Sequence, residues 1–125
     1  MPNLSPEAHD AWLNRERRMV LTTTDSNGVP NAIWILCAEL MDGNKFVIAN
    51  NSMHKTLENI ESGGTASLLF IAPEREAYQV KGTIEHHLSG PVYDNMKSWL
   101  NPSYPGKSAV LLHIEEVYYG ADRVV

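Results

Sequence analysis

One cysteine, Cys37, is all the thiol chemistry this chain has. An internal disulfide is excluded, and a reducing, cytoplasmic setting is expected. Basic residues are outnumbered, with 10 Lys and Arg against 15 Asp and Glu, so the formal net charge is -5. No basic stripe runs along the chain, which argues against a nucleic-acid partner. No apolar run approaches the ~20 residues that cross a bilayer. The opening "MPNLSPEAHD" lacks the apolar core of a secretory signal, so no membrane association is expected. Also missing are a GxGxxG loop, a P-loop, an HExxH helix and a CxxC pair. Internal repeats and low-complexity linkers are absent.

What remains is an ordinary globular composition: 125 residues, 43% hydrophobic and 20% charged. That length fits one domain, residues 1–125, burying roughly two thirds of its unfolded surface. Ser5-Pro6-Glu7 is a helix start, with a capping serine and proline at the first helical position. The spacing of Ala8, Ala11 and Trp12 carries that helix to about Arg17. "MVLTTT" is rich in β-formers, and "DSNGVP" supplies an Asn27-Gly28 hairpin signal. "NAIWILCAEL" is nearly continuous apolar, which predicts one strand covered on both faces. "KFVIAN" and "TASLLFIA" are further strands. "AYQVKGTIEHHL" alternates, with Tyr78, Val80, Gly82, Ile84 and His86 on one face and Gln79, Lys81, Thr83, Glu85 and His87 on the other. Gly90-Pro91 opens a helix whose stripe is Val92, Met96, Trp99 and Leu100. "SAVLLHIEEVYY" is the last long strand. The order α-β-β-β-α-β-β-α-β, joined by tight turns, predicts a mainly β fold: six antiparallel strands in a closed or split barrel.

The stretch "NNSMHKTLENIESGG" is a short helix with its charges reversed. Met53, Leu57 and Ile60 make an apolar face, Ser52 is placed to cap the start, and Gly63 to stop the end. A helix dipole favours acids at the start and bases at the end. Here His54 and Lys55 lie in the first turn, while Glu58 and Glu61 follow. Two readings are open: a solvated surface cation that the fold tolerates at a cost of about 0.3–1 kcal/mol, or a bound phosphate that resolves the conflict by pairing with Lys55 and taking hydrogen bonds from Ser52 or Thr56. In the second reading the ligand is phosphorylated, and the bordering strands offer an apolar wall for something flat. Elsewhere the side chains are ordinary. His86 and His87 point to opposite faces and cannot share a metal, and Cys37 has no base partner.

"GVPNAIWILCAELMDGNKFVIANNSMHKTLENIESGGTASLLF" resembles the core of the pyridoxamine 5′-phosphate oxidase-like FMN-binding split barrels, in particular their small FMN-binding proteins. The likeness spans Gly28 to Phe70 and continues more weakly to the last strand. It implies a homodimer with FMN at its interface. The phosphate site of that family matches His54, Lys55 and Thr56, with Met53 in the same "MHKT" motif. The flavin-lining strand matches Ile33, Trp34 and Ile35, the end of the next strand matches Ala49 and Asn50, and Gln79 lies near a family glutamine. Ile33 and Ala38 stand where the oxidases carry an arginine and a lysine, and their C-terminal Trp/Arg segment has no match. Pyridoxamine 5′-phosphate is therefore not the expected substrate. A tryptophan that covers the flavin from the partner subunit matches Pro105, beside Tyr104. The resemblance implies a flavoprotein that is an oxidoreductase or electron carrier with an unidentified redox partner or small-molecule substrate. The alternatives are a non-catalytic flavin-binding or sensor protein, or a barrel holding deazaflavin F420 or haem, for which His54 is the placed ligand.

Overall fold

A computed structural model describes residues 2–125 and every side chain among them except that of Arg75. Helix α1 (Pro6–Leu13) starts as its sequence dictates: Ser5 Oγ accepts from the amide of Ala8 at 3.2 Å, and Pro6 needs no amide partner. It ends at Leu13 rather than near Arg17. Asn14 leaves helical geometry, and the Glu16 amide donates to Ile71 O at 2.7 Å, which binds the chain to the sheet instead. Arg15 folds back over the Trp12 ring, 3.6 Å from its centroid, and donates to the carbonyls of Trp12 and Ala38.

Strands β1 (Met19–Thr24) and β2 (Pro30–Ile35) form the expected hairpin. Its turn is built on Asp25, whose Oδ1 accepts from the amides of Asn27 and Val29, each at 2.9 Å. Then follow β3 (Ala38–Met41), β4 (Lys45–Asn50), α2 (Lys55–Glu61), β5 (Thr65–Ile71), a short turn of 3-10 helix, β6 (Ala77–His87), α3 (Pro91–Trp99), β7 (Ser108–His113), β8 (Glu116–Tyr119) and β9 (Asp122–Arg123). All strand pairs are antiparallel, in a nine-stranded sheet of order β2-β1-β5-β6-β7-β4-β3, with β8 on β6 and β9 on β8.

The expected six strands become nine because two long apolar runs turn corners and the two-residue β9 adds to β8. "NAIWILCAEL" breaks at Leu36-Cys37, so β2 pairs with β1 and β3 with β4 at opposite ends of the sheet. Two strands adjacent in sequence therefore bring the sheet's ends together, as a split barrel requires. "SAVLLHIEEVYY" breaks at Ile114-Glu115. There β6 changes partners, pairing with β8 over Tyr78–Lys81 and with β7 over Ile84–His87. Gly82 sits at this corner, and a Cβ on it would lie 1.7 Å from His113 O.

The interior cluster joins Trp12, Phe46, Phe70, Leu21, Leu68 and Leu112, with Ala8, Ala11 and Trp12 of α1 packed into it. A second cluster packs Val92 and Met96 of α3 on Val47, Ala49, Ala109 and Leu111, outside the barrel. The strands covered on both faces are thus β4 and β7, not β2. On β2 the exposure alternates, and Trp34 is 69% exposed.

Candidate functional site

A cleft of about 590 Å³ opens along the split, where β2 leaves its sheet. Its apolar wall is Ile33, Trp34, Ile35 and Leu36, with Ala49 and Met53 behind and Tyr104 and Pro105 across the mouth. The polar end gathers Asn31, Asn51, Ser52, His54, Lys55 and Thr56. The lining comes from three stretches of sequence, Asn31 to Leu36, Ala49 to Thr56 and Tyr104-Pro105, which the fold brings together.

Helix α2 does not begin as its sequence pattern indicates. His54, not Ser52, occupies the cap position, and no side chain caps the helix. The buried face is Thr56, Asn59 and Ile60, while Met53 is buried ahead of the helix and Leu57 is only half-buried. Apolar periodicity misses this face because two of its members are polar. They are tolerated because each has a partner: Thr56 Oγ1 accepts from Asn31 Nδ2 at 3.2 Å, and Asn59 Nδ2 donates to Thr23 Oγ1 at 3.0 Å. Gly63 ends the helix as expected, at φ +85°. Thr56 keeps a hydroxyl proton to donate. Lys55 is exposed and has no ion-pair partner within 4.0 Å among the described residues. Its charge reaches the hairpin turn: the Asp25 carboxyl lies below the usual carboxylate range, chiefly through the Val29 amide, with smaller help from the Asn27 amide and Lys55.

Asn50 is not on the cleft surface. It is buried behind the loop, where its Oδ1 accepts from the Met53 amide and its Nδ2 donates to Ser108 Oγ, both at 2.9 Å. Gln79 lies outside the cleft, in a groove with Thr22, Ser67, Lys81 and Glu116 on the outer face of the sheet. Trp34 of β2 projects from that same outer face, since Val20 pairs with both Trp34 and Leu69, and Leu69 with Gln79.

Three lining residues escaped sequence reasoning. Asn31 could have been found, because strand alternation sets it on one face with Ile33 and Ile35. Leu36 lies at the corner that no periodicity marks. Asn51 has no local signal, yet it joins the walls: its Oδ1 accepts from the Gly106 amide at 3.0 Å, and its Nδ2 approaches Cys37 Sγ at 3.6 Å. Tyr104 is tethered from the opposite side by Arg17, which donates to its hydroxyl. Among the described residues no group of three or more His, Cys, Asp or Glu could hold a metal.

The model of the pyridoxamine 5′-phosphate oxidase family matches residues 5–120 of the chain. A relative, an uncharacterised protein of Methanocaldococcus jannaschii, is 31% identical over 103 residues, covering 78% of this chain and 69% of its own. Among solved structures, HupZ of Group A Streptococcus superimposes with a TM-score of 0.84 at 25% identity, covering 98% of each chain. An FMN-binding protein of Syntrophomonas wolfei gives 0.70 at 19% identity, over 87% of this chain and 80% of that one. HutZ, the haem storage protein of Vibrio cholerae, gives 0.70 at 15%, over 94% and 95%. The last two likenesses establish the fold alone.

Proposed function

The chain belongs to the pyridoxamine 5′-phosphate oxidase family, and from that premise we propose that its cleft binds FMN at a homodimer interface. The observation that carries the reading is the cleft's division into a cationic, hydroxyl-bearing end and an apolar wall. Its volume falls in the ~300–1,000 Å³ range of small-molecule sites. Lys55, Ser52 and Thr56 would hold the phosphate, as a cation with no ion-pair partner within 4.0 Å among the described residues beside two hydroxyl donors. Ile33, Trp34 and Ile35 would flank the isoalloxazine, and Asn50 and Asn51 hold the loop between them. Ile33 and Ala38 offer no charge for a second phosphorylated ligand, so pyridoxamine 5′-phosphate is not the substrate in this reading.

The dimer is supported by the outer face of β2, β1, β5 and β6. Trp34, Val20, Leu69 and Gln79 lie there half-buried or exposed, so Gln79 is positioned to meet a second copy rather than its own cleft. Bound FMN supplies one- or two-electron redox chemistry, and the protein supplies position and electrostatics. The function is electron or hydride transfer to a partner or small substrate.

One observation favours a second reading. His54 is exposed at the polar end of the cleft, and an imidazole there can ligate haem iron. The absorption spectrum of the purified protein separates the readings. Flavin bands that leave with a phosphate-bearing chromophore on denaturation uphold FMN; a Soret band that vanishes in His54→Ala replaces it with haem. Deazaflavin has its own single band. Steady turnover with a reduced nicotinamide then distinguishes an oxidoreductase from a flavin-storing or sensing protein.

A further inference from the structure

We propose that His86 is a positioning residue for the cleft, holding the loop from Asn50 to Lys55 in the form that receives a phosphate. The inference rests on the FMN reading above and deepens it.

The side chain of His86 is 12% exposed and engaged at both ring nitrogens. Its Nε2 lies 2.6 Å from Ser108 Oγ, and its Nδ1 lies 3.2 Å from Glu61 Oε1. Serine, histidine and a carboxylate in that order are the parts of an acyl-transfer triad. Here they cannot act as one. Ser108 is 1% exposed, and its oxygen is already taken by Asn50 Nδ2 at 2.9 Å, so no substrate reaches it.

The purpose of the line is found at its other end. Asn50 Oδ1 accepts from the Met53 amide at 2.9 Å, which completes the chain Glu61–His86–Ser108–Asn50–Met53. Glu61 is the last residue of α2, and Met53 lies just ahead of its first. His86 therefore grips both ends of the short helix through strands β6 and β7. Without the ring, the Ser108 hydroxyl loses the partner that fixes it, which loosens the Asn50 amide bonded to it and so the hold on the Met53 amide. His54 and Lys55 follow Met53 directly. The flavin-facing wall on β2 is no member of this line, so it keeps its place.

The test compares FMN with riboflavin, which has the same ring and no phosphate. Titrations of wild type, His86→Ala and His86→Gln by flavin fluorescence are paired with amide hydrogen exchange of the flavin-free proteins. His86→Ala is expected to weaken FMN about 3- to 10-fold, the worth of one hydrogen bond, and to leave riboflavin unchanged. Exchange at Met53, His54 and Lys55 should quicken while that of β2 holds. His86→Gln, whose amide can reach Ser108, should recover part of the FMN affinity. Adding Ser108→Ala to His86→Ala should cost little more, because both cut one line. Equal losses for both flavins, or unchanged exchange at Met53, would overturn the proposal. Should the wild type take neither flavin, the FMN reading falls alone: quickened exchange at Met53 in His86→Ala still upholds the positioning role, and unchanged exchange removes it.

Discussion

Lys55 places a cation on the positive end of a helix, with no ion-pair partner within 4.0 Å among the described residues. Its removal should therefore affect the ligand more than the fold. Lys55→Ala is expected to weaken FMN roughly 10- to 150-fold, the range of a charge-assisted hydrogen bond, and to leave riboflavin unmoved. The flavin-free mutant should be no less stable than wild type in thermal melts. Equal losses for both flavins would make Lys55 a scaffold residue. Asp25 reports on the same charge. Its carboxyl is depressed first by the Val29 amide, which desolvation opposes, with smaller help from the Asn27 amide and Lys55. A folded pKa below the unfolded one means that the contribution is whole above the unfolded value and is lost as pH falls through the folded one. The Tm advantage of wild type over Asp25→Asn should thus shrink on acidification. In Lys55→Ala the Asp25 carboxyl should titrate at higher pH, which carbon-detected NMR of the side chain would show.

At the scale of elements, the barrel's corner depends on Gly82. A methyl there meets the His113 carbonyl at 1.7 Å, and backbone has nowhere to retreat inside a paired sheet. Gly82→Ala should cost about 3 kcal/mol or more in urea unfolding. Gly63→Ala meets nothing within 4 Å and is opposed only by its φ of +85°, so about 1–2 kcal/mol is expected. A reversed order would mean that the β6–β7–β8 corner is not packed as described. The same corner explains what the sequence could and could not reveal. Hydrophobic alternation and turn residues located β1, β4, β5, β6 and α3 closely, because each is a straight element with its own boundary signals. Leu36-Cys37 and Ile114-Glu115 carry no glycine or proline, so the bends that divide β2 from β3 and β7 from β8 are invisible to local pattern. They are imposed by pairing partners far away in the chain. The buried face of α2 is hidden from local pattern for a related reason: Thr56 and Asn59 look solvent-facing until Asn31 and Thr23 are brought to them. The cleft itself was more legible than these details. Ile33 to Ile35 and Ser52 to Thr56 converge on it because the motif and the hairpin are both local, whereas Asn51 acts across the fold.

For the whole molecule, the cleft and the bare outer sheet face make one prediction together. Trp34 belongs to both: it lines the cleft and is 69% exposed. A flavin seated there in a single chain would leave much of its ring in water, whereas a second copy docked on β2 would cover ring and tryptophan at once. A stable interface of that kind buries ~1,200–2,000 Å². Wild type should sediment at twice 14.0 kDa at micromolar concentration. Trp34→Glu sets a negative charge on each of two facing copies, in a chain already at -5. The folded protomer should barely notice, since substitutions at exposed positions shift stability by only about 0.5 kcal/mol. The mutant should nevertheless fall to 14.0 kDa and lose FMN affinity at least ~10-fold, the two losses moving together as protein concentration is varied. Leu88→Glu is the control. That leucine is 72% exposed beyond the end of β6, and its replacement should change neither mass nor affinity. A wild-type protein that stays at 14.0 kDa while binding FMN tightly would show that one chain completes the site, and Gln79 would then have no part in it.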